Sequence, residues 1–141
     1  MVYPIKYSEA EQPALKGEEG MTKGLGLDVC EIARMEKLLK DERFLDRYFN
    51  EGEIGYIHSK GRSAAQTMAG IFAAKEAFSK ALGTGIVFNL KEISIFHDEA
   101  GQPRYSLSGE AERLGKGDRF FLSISHDGGI AAAVCIREDN Q

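Results

Sequence analysis

An acid and an amine stand four residues apart in A-A-K-E-A-F-S-K-A-L-G-T-G, residues 73–85. In a helix, Glu76 and Lys80 lie within about 40° of each other, and Ala69, Ala73 and Ala77 share their arc. Met68, Ile71, Phe72, Phe78 and Leu82 take the other side, a bulky stripe suited to packing on a core. Small side chains around an acid and a base leave room for a group to approach. Taken alone, the pair is an ordinary surface ion pair worth roughly a few tenths of a kcal/mol. A second carboxylate is needed before the pattern suggests chemistry.

Asp28 is the candidate. Leu25, Leu27 and Val29 alternate with Gly24, Gly26 and Asp28, so a strand over residues 23–28 has one apolar face and one face of two glycines ending in an acid. The missing side chains let another group come close to the backbone. Asp28 followed by Glu31 also fits an N-cap and its capping-box partner, opening a helix over residues 31–40, and this segment by itself favours the cap.

Together the two segments carry more. G-x-G-x-D leading into a helix with Arg34, then A-A-K-E-A-F-S-K-A-L-G-T-G some fifty residues on, closely resembles the bacterial holo-acyl carrier protein synthases, the small phosphopantetheinyl transferases. The likeness continues through F-L-D-R-Y-F-N-E-G-E at 44–53, E-I-S-I-F-H-D-E-A-G-Q-P at 92–103 and S-I-S-H at 123–126, and it spans residues 21–138. It implies transfer of the 4′-phosphopantetheine arm from coenzyme A to a serine of an apo acyl carrier protein, leaving adenosine 3′,5′-bisphosphate, in fatty-acid synthesis. It also implies a homotrimer with sites between neighbouring subunits.

Attack on a pyrophosphate calls for a divalent cation, a base for the serine hydroxyl and positive charge near the leaving phosphate. The resemblance makes Asp28 and Glu76 the ligands of Mg²⁺, an ion that typically takes one or two carboxylates and completes its octahedron with phosphate oxygens and water. Glu76 is also the candidate to take the serine proton, directly or through a metal-held water. Lys80 would then lie over the pyrophosphate. Gly83, Thr84 and Gly85 match the family's coenzyme A site, where their backbone N–H groups could reach a phosphate, although Gly83 also fits a helix C-cap. His126 is carried over as a phosphate contact. A Ser125–His126 catalytic pair is disfavoured, because neighbours on a strand point to opposite faces. Lys75 falls on the packing face, where a salt bridge or a snorkelling stem is as reasonable as a ligand contact.

One position departs from the family, which commonly has an arginine for the 3′-phosphate of coenzyme A where this chain has Ile71. Lys60, Arg62 and Arg104 are candidate substitutes. For the carrier protein, an acidic helical partner, the resemblance points to Arg34 on the first helix. Leu38 and Asp41 share its arc, opposite Ile32 and Leu39, with Arg43 and Arg47 widening the patch and Asp41 as a local repulsion. Two rival functions use the same groups: a coenzyme A-binding module without turnover, favoured by Ile71, and a metal-dependent pyrophosphate hydrolase needing no carrier protein.

The chain's 141 residues, 43% of them apolar, suit one domain with one core. A net charge of −4 speaks against general nucleic-acid binding. No apolar run approaches a membrane span and the first twenty residues lack a signal-peptide centre, so a cytoplasmic protein is expected. Cys30 and Cys135 are expected to be reduced packing residues. Residues 1–20 are expected to form a disordered leader, with V-Y-P-I at 2–5 able to dock, ahead of the phosphopantetheinyl transferase domain over 21–141. Further helices are expected at 44–49, 51–57 and 108–114. Strands are expected at 86–90, 92–97 and 104–107, and a hairpin of 120–126 with 130–137 turns about D-G-G. Strands interleaved with helices and a closing antiparallel hairpin argue an α+β fold, and the resemblance sharpens this to a phosphopantetheinyl transferase-like fold with a long central helix packed on a small antiparallel sheet.

Overall fold

The computed structural model describes residues 20–140; the expected leader and its docking segment lie outside them apart from Gly20. The elements follow as β1 (Thr22–Glu31), α1 (Ile32–Leu38), α2 (Glu42–Tyr48), α3 (Glu51–His58), α4 (Ala64–Leu82), β2 (Ile93–His97), β3 (Pro103–Leu107), α5 (Gly109–Gly115), β4 (Arg119–Asp127) and β5 (Ile130–Glu138). Two antiparallel sheets result, one in the order β1-β5-β4 and one pairing β2 with β3. The α+β expectation holds, with two small sheets rather than one.

The centre of the fold is α4 against the inner face of the larger sheet. Its 19 residues are buried nearly all round, including Met68, Ala69, Ala73, Ala77 and Phe78 at 0% exposure. The alanine arc receives the chain's own strand rather than a ligand. A Cβ built on Gly24 or Gly26 would overlap the carbonyl oxygens of Ala81 and Ala77 respectively, so the two glycines allow β1 to lie directly on the helix backbone. The helix ends where expected, at Gly83 with φ 80°, whose N–H donates to the Ser79 carbonyl at 3.2 Å.

Three local expectations are corrected. Asp28 is not a helix cap: β1 continues beyond it to Glu31, because the ladder with β5 runs on to the Glu31–Ile130 pair and holds the chain extended. The first helix therefore begins at Ile32, whose N–H donates to the Gly129 carbonyl at 3.0 Å, and Glu31 makes no side-chain cap. Asp41 is itself a cap, accepting from the Arg43 and Phe44 N–H groups at 3.1 and 3.2 Å at the start of α2. Residues 86–90 form no strand. The open edge of β2 is already occupied by side chains, with the Ile95 N–H donating to Glu53 and the Ile93 carbonyl accepting from Lys75. Cys30 and Cys135 are buried free thiols, as expected.

Candidate active site

Along α4 the open positions recur every fourth residue: Phe72 and Glu76 are half-buried and Lys80 is exposed. Beside them, the inner face of β1 delivers Asp28. Lys80 reaches across to β1, its Nζ donating to the Leu27 carbonyl at 2.9 Å and to Asp28 Oδ1 at 3.3 Å. The surface pair Glu76–Lys80 is thus not made; the amine prefers the strand, and among the described residues Glu76 has no ion-pair partner. Burial pushes the Glu76 carboxyl above its ordinary value, and the negative charge of Asp28 adds to that, against the opposing pull of Lys80 and Arg34. Two hard-oxygen acids close enough for the charge of Asp28 to act on Glu76 fit a divalent ion that draws its remaining ligands from phosphate and water.

Glu76 opens onto a cleft of about 480 Å³ between α2 and the segment after α4, lined also by Arg47, Tyr48, Phe72, Phe88 and Leu90. Two guanidinium groups stand over its aromatic residues, Arg34 at 5.7 Å from the Phe72 ring and Arg47 at 5.3 Å from the Tyr48 ring. Next to it, Glu76 and Lys80 share a hollow with Ser79, Gly83 and Gly85. Thr84 turns its hydroxyl back onto the Gly85 carbonyl at 3.0 Å. Arg43 is exposed on α2, and Leu38 is half-buried against the core, which reduces what it offers a partner.

His126 is not part of this cluster. It lies one residue before the end of β4, next to Gln66, Nε2 to Nε2 at 2.9 Å, and Gln66 precedes Glu76 by ten residues of helix, about 15 Å along its axis. Here lies a second cleft, of about 230 Å³, lined by Tyr56, Thr67, His97 and Ile71 among others. Position 71 therefore faces the same space as His126. Of the candidate substitutes for the missing arginine, Lys60 stands 4.5 Å over the ring of Tyr56, a lining residue that stacks on His97 at 4.9 Å. Arg104 is held by Asp98 at 2.7 Å and Arg62 lies exposed in the turn before α4. Burial, seconded by the charge of Lys60, lowers the His97 pKa.

The sequence profile of the 4′-phosphopantetheinyl transferase superfamily matches residues 24–135. The chain belongs to this superfamily. A holo-[acyl-carrier-protein] synthase of Treponema denticola is 45% identical over 122 residues, 84% of this chain and 99% of that protein. Among solved structures, a holo-(acyl-carrier-protein) synthase of Bacillus anthracis in complex with CoA (3′,5′-ADP) is 36% identical with a TM-score of 0.72, covering 85% of this chain and 99% of that one. The Helicobacter pylori synthase in complex with coenzyme A is 35% identical, with a TM-score of 0.69 and coverage of 80% and 98%.

Within this superfamily member, sequence reasoning missed the residues that shape the clefts. Tyr56 and Gln66 carry no pattern of their own. Glu53 is hidden by its capping box with Asn50, a spacing that explains it locally and conceals its second partner, Lys75. A charge on the packing face of α4 was the available signal, since a buried ammonium requires a buried acceptor.

Proposed function

We propose that this protein transfers the 4′-phosphopantetheine group from coenzyme A to a serine of apo acyl carrier protein, releasing adenosine 3′,5′-bisphosphate. The observation that carries the reading is the convergence of Asp28, Glu76 and Lys80, from a strand and a helix about fifty residues apart, beside a hollow walled by Gly83 and Gly85. Asp28 and Glu76 are the residues that would hold Mg²⁺, which when bound neutralises pyrophosphate oxygens and steadies the leaving group. The carboxyl of Glu76, raised by burial and by Asp28, is suited to accept the serine proton. Lys80 donates from the edge of the hollow, 54% exposed at its side chain, and can transfer its hydrogen bonds from Leu27 and Asp28 to a phosphate oxygen. Gly83 and Gly85 lack side chains that would keep a phosphate from the loop backbone.

The acidic carrier protein would meet Arg34, Arg43 and Arg47, of which Arg34 and Arg47 flank the mouth of the Glu76 cleft. Self-association is supported by the outer face of the β1-β5-β4 sheet, where Leu25, Leu27, Val29, Phe121 and Ile130 are each 42–64% exposed on one side. In a homotrimer, the His126 cleft of one subunit would serve together with the Glu76 site of its neighbour. That arrangement reconciles two half-sites about 15 Å apart on one helix with one extended ligand. No helix among the described residues is long and apolar enough to cross a membrane, in keeping with action in the cytoplasm.

Intact-protein mass spectrometry of apo acyl carrier protein incubated with this protein, coenzyme A and Mg²⁺ tests the reading. A phosphopantetheine mass gain, abolished by EDTA, is expected. Release of free phosphopantetheine with no gain on the carrier would replace the transferase by a hydrolase. Binding of coenzyme A with neither product would replace it by a binding module.

A further inference from the structure

Lys75 follows the opposite course from its neighbour Glu76. It is wholly buried, and its ammonium donates to Glu53 Oε1 at 2.7 Å, to the Leu90 carbonyl at 3.0 Å and to the Ile93 carbonyl at 2.8 Å. Glu53, 3% exposed, uses its remaining capacity on backbone: Oε1 also accepts from the Asn50 N–H at 3.1 Å and Oε2 from the Ile95 N–H at 3.0 Å. One ion pair thereby ties α3, α4 and the start of β2 together. Such a pair is weak evidence for stability, because desolvation offsets the Coulomb attraction, so its use is better sought in what it positions.

What it positions is the segment between α4 and β2. Among the described residues, 84–88 make no backbone–backbone hydrogen bonds, and the chain is fixed on either side, at Gly83 through the Ser79 carbonyl and at Leu90 through Lys75. Between these points Ile86, Phe88 and Asn89, with Leu90 itself, wall the cleft that Glu76 opens onto. A segment with no ladder of its own takes its place from its anchors. Phe88 adds one apolar hold, edge-on to Phe78 at 6.1 Å.

We propose that Lys75, together with Glu53, is a positioning residue that sets the wall formed by residues 86–90 against Glu76 and so tunes the affinity of the cleft for coenzyme A. The inference rests on the transferase reading for its choice of ligand. Its geometric half is independent of that reading, since the position of the wall can be followed without any substrate.

Two variants test it. Lys75→Met leaves the Glu53 carboxylate buried without its cation and is expected to melt well below wild type. Glu53→Gln/Lys75→Met removes both charges and is expected to fold, as replacement of both members of a buried pair generally permits. In the folded double variant, the backbone order parameters of residues 86–90 should fall from about 0.85 to below about 0.6 while those of β5 stay at about 0.85. The KM for coenzyme A should rise by about tenfold with kcat within about threefold of wild type. A pair acting only on global stability would move neither local order nor the split between KM and kcat. Unchanged order parameters at 86–90, or a KM within about twofold of wild type, overturns the proposal. Failure of the transferase reading shows separately, as wild-type protein that modifies no carrier, and the order-parameter measurement then still decides the positioning role.

Discussion

Replacing Gly26 by alanine tests whether close approach of β1 to α4 assembles the site. The added Cβ would overlap the Ala77 carbonyl oxygen and stand 2.8 Å from both the Ala77 carbonyl carbon and the Ala81 nitrogen, where ordinary contact begins at 3.4 Å. Every obstructing atom is helix backbone beside the buried Ala77 and Ala81, so no side chain can swing aside and the strand must withdraw. Overpacking of a core costs about 1–3 kcal/mol, and a backbone obstruction belongs at the upper end. For a chain of this size that lowers Tm by roughly 10 °C. The same withdrawal carries Asp28 and the Leu27 carbonyl away from Lys80, whose contacts of 3.3 and 2.9 Å do not survive a displacement of that order. Transfer to the carrier protein should fall by about tenfold or more. Thermal melting and carrier mass spectrometry are read together, with Gly55→Ala in α3 as control. No atom lies within 4 Å of a Cβ there, and alanine should add about 0.5–1 kcal/mol of helix stability. A Gly26→Ala protein melting within about 2 °C of wild type at full activity would refute the argument.

Glu76→Gln should abolish transfer yet raise Tm at pH 7 in metal-free buffer. A carboxyl whose pKa is raised by folding contributes stability below its unfolded value, ordinarily 4.5, and loses it as pH rises through the folded value. The gain over wild type should therefore vanish below about pH 4.5, and a lower Tm at pH 7 would show that the burial and the charge of Asp28 were misjudged. Asp118 has the opposite sign: burial disfavours its charge, but hydrogen bonds from Lys23 and Arg137 outweigh this and hold the carboxyl below its ordinary 3.8. Its contribution is present above that value and lost as pH falls through the folded pKa, so Asp118→Asn should lower Tm at pH 7 and flatten the acid arm of the melting profile. Arg137, its partner, also points at the Leu82 and Leu114 carbonyls that end α4 and α5. Ile71→Arg should tighten binding of coenzyme A relative to its form lacking the 3′-phosphate, and isothermal titration with both ligands gives the ratio; an unchanged ratio removes position 71 from 3′-phosphate recognition.

Local patterns in the sequence are strong where one physical demand acts alone. Alternation along β1, the helix of residues 64–82 with its glycine stop, and the D-G-G hairpin each follow from a single periodicity or a single turn requirement, and the structure has them. Asp28 shows where such reasoning fails. Asp-x-x-Glu before an apolar run satisfies a capping box, and only pairing with β5, about a hundred residues on, keeps the chain extended past it. Ile86 and Val87 have strand character, but the edge of β2 that another strand could join is already filled by Glu53 and Lys75. The alanine arc was legible as a place of close approach; that its visitor is β1 depends on which strand the sheet presents.

The residue types available for chemistry, their helical phase and the family to which the chain belongs are legible in the order of amino acids, because spacing along one element is set by backbone geometry. The tertiary structure alone decided their partners. It turned Lys80 from Glu76 to Asp28, separated His126 from the acids and sent Lys75 inward to Glu53. Each choice follows from burial and from competition for hydrogen bonds between elements distant in sequence, and those quantities exist only once the chain has folded.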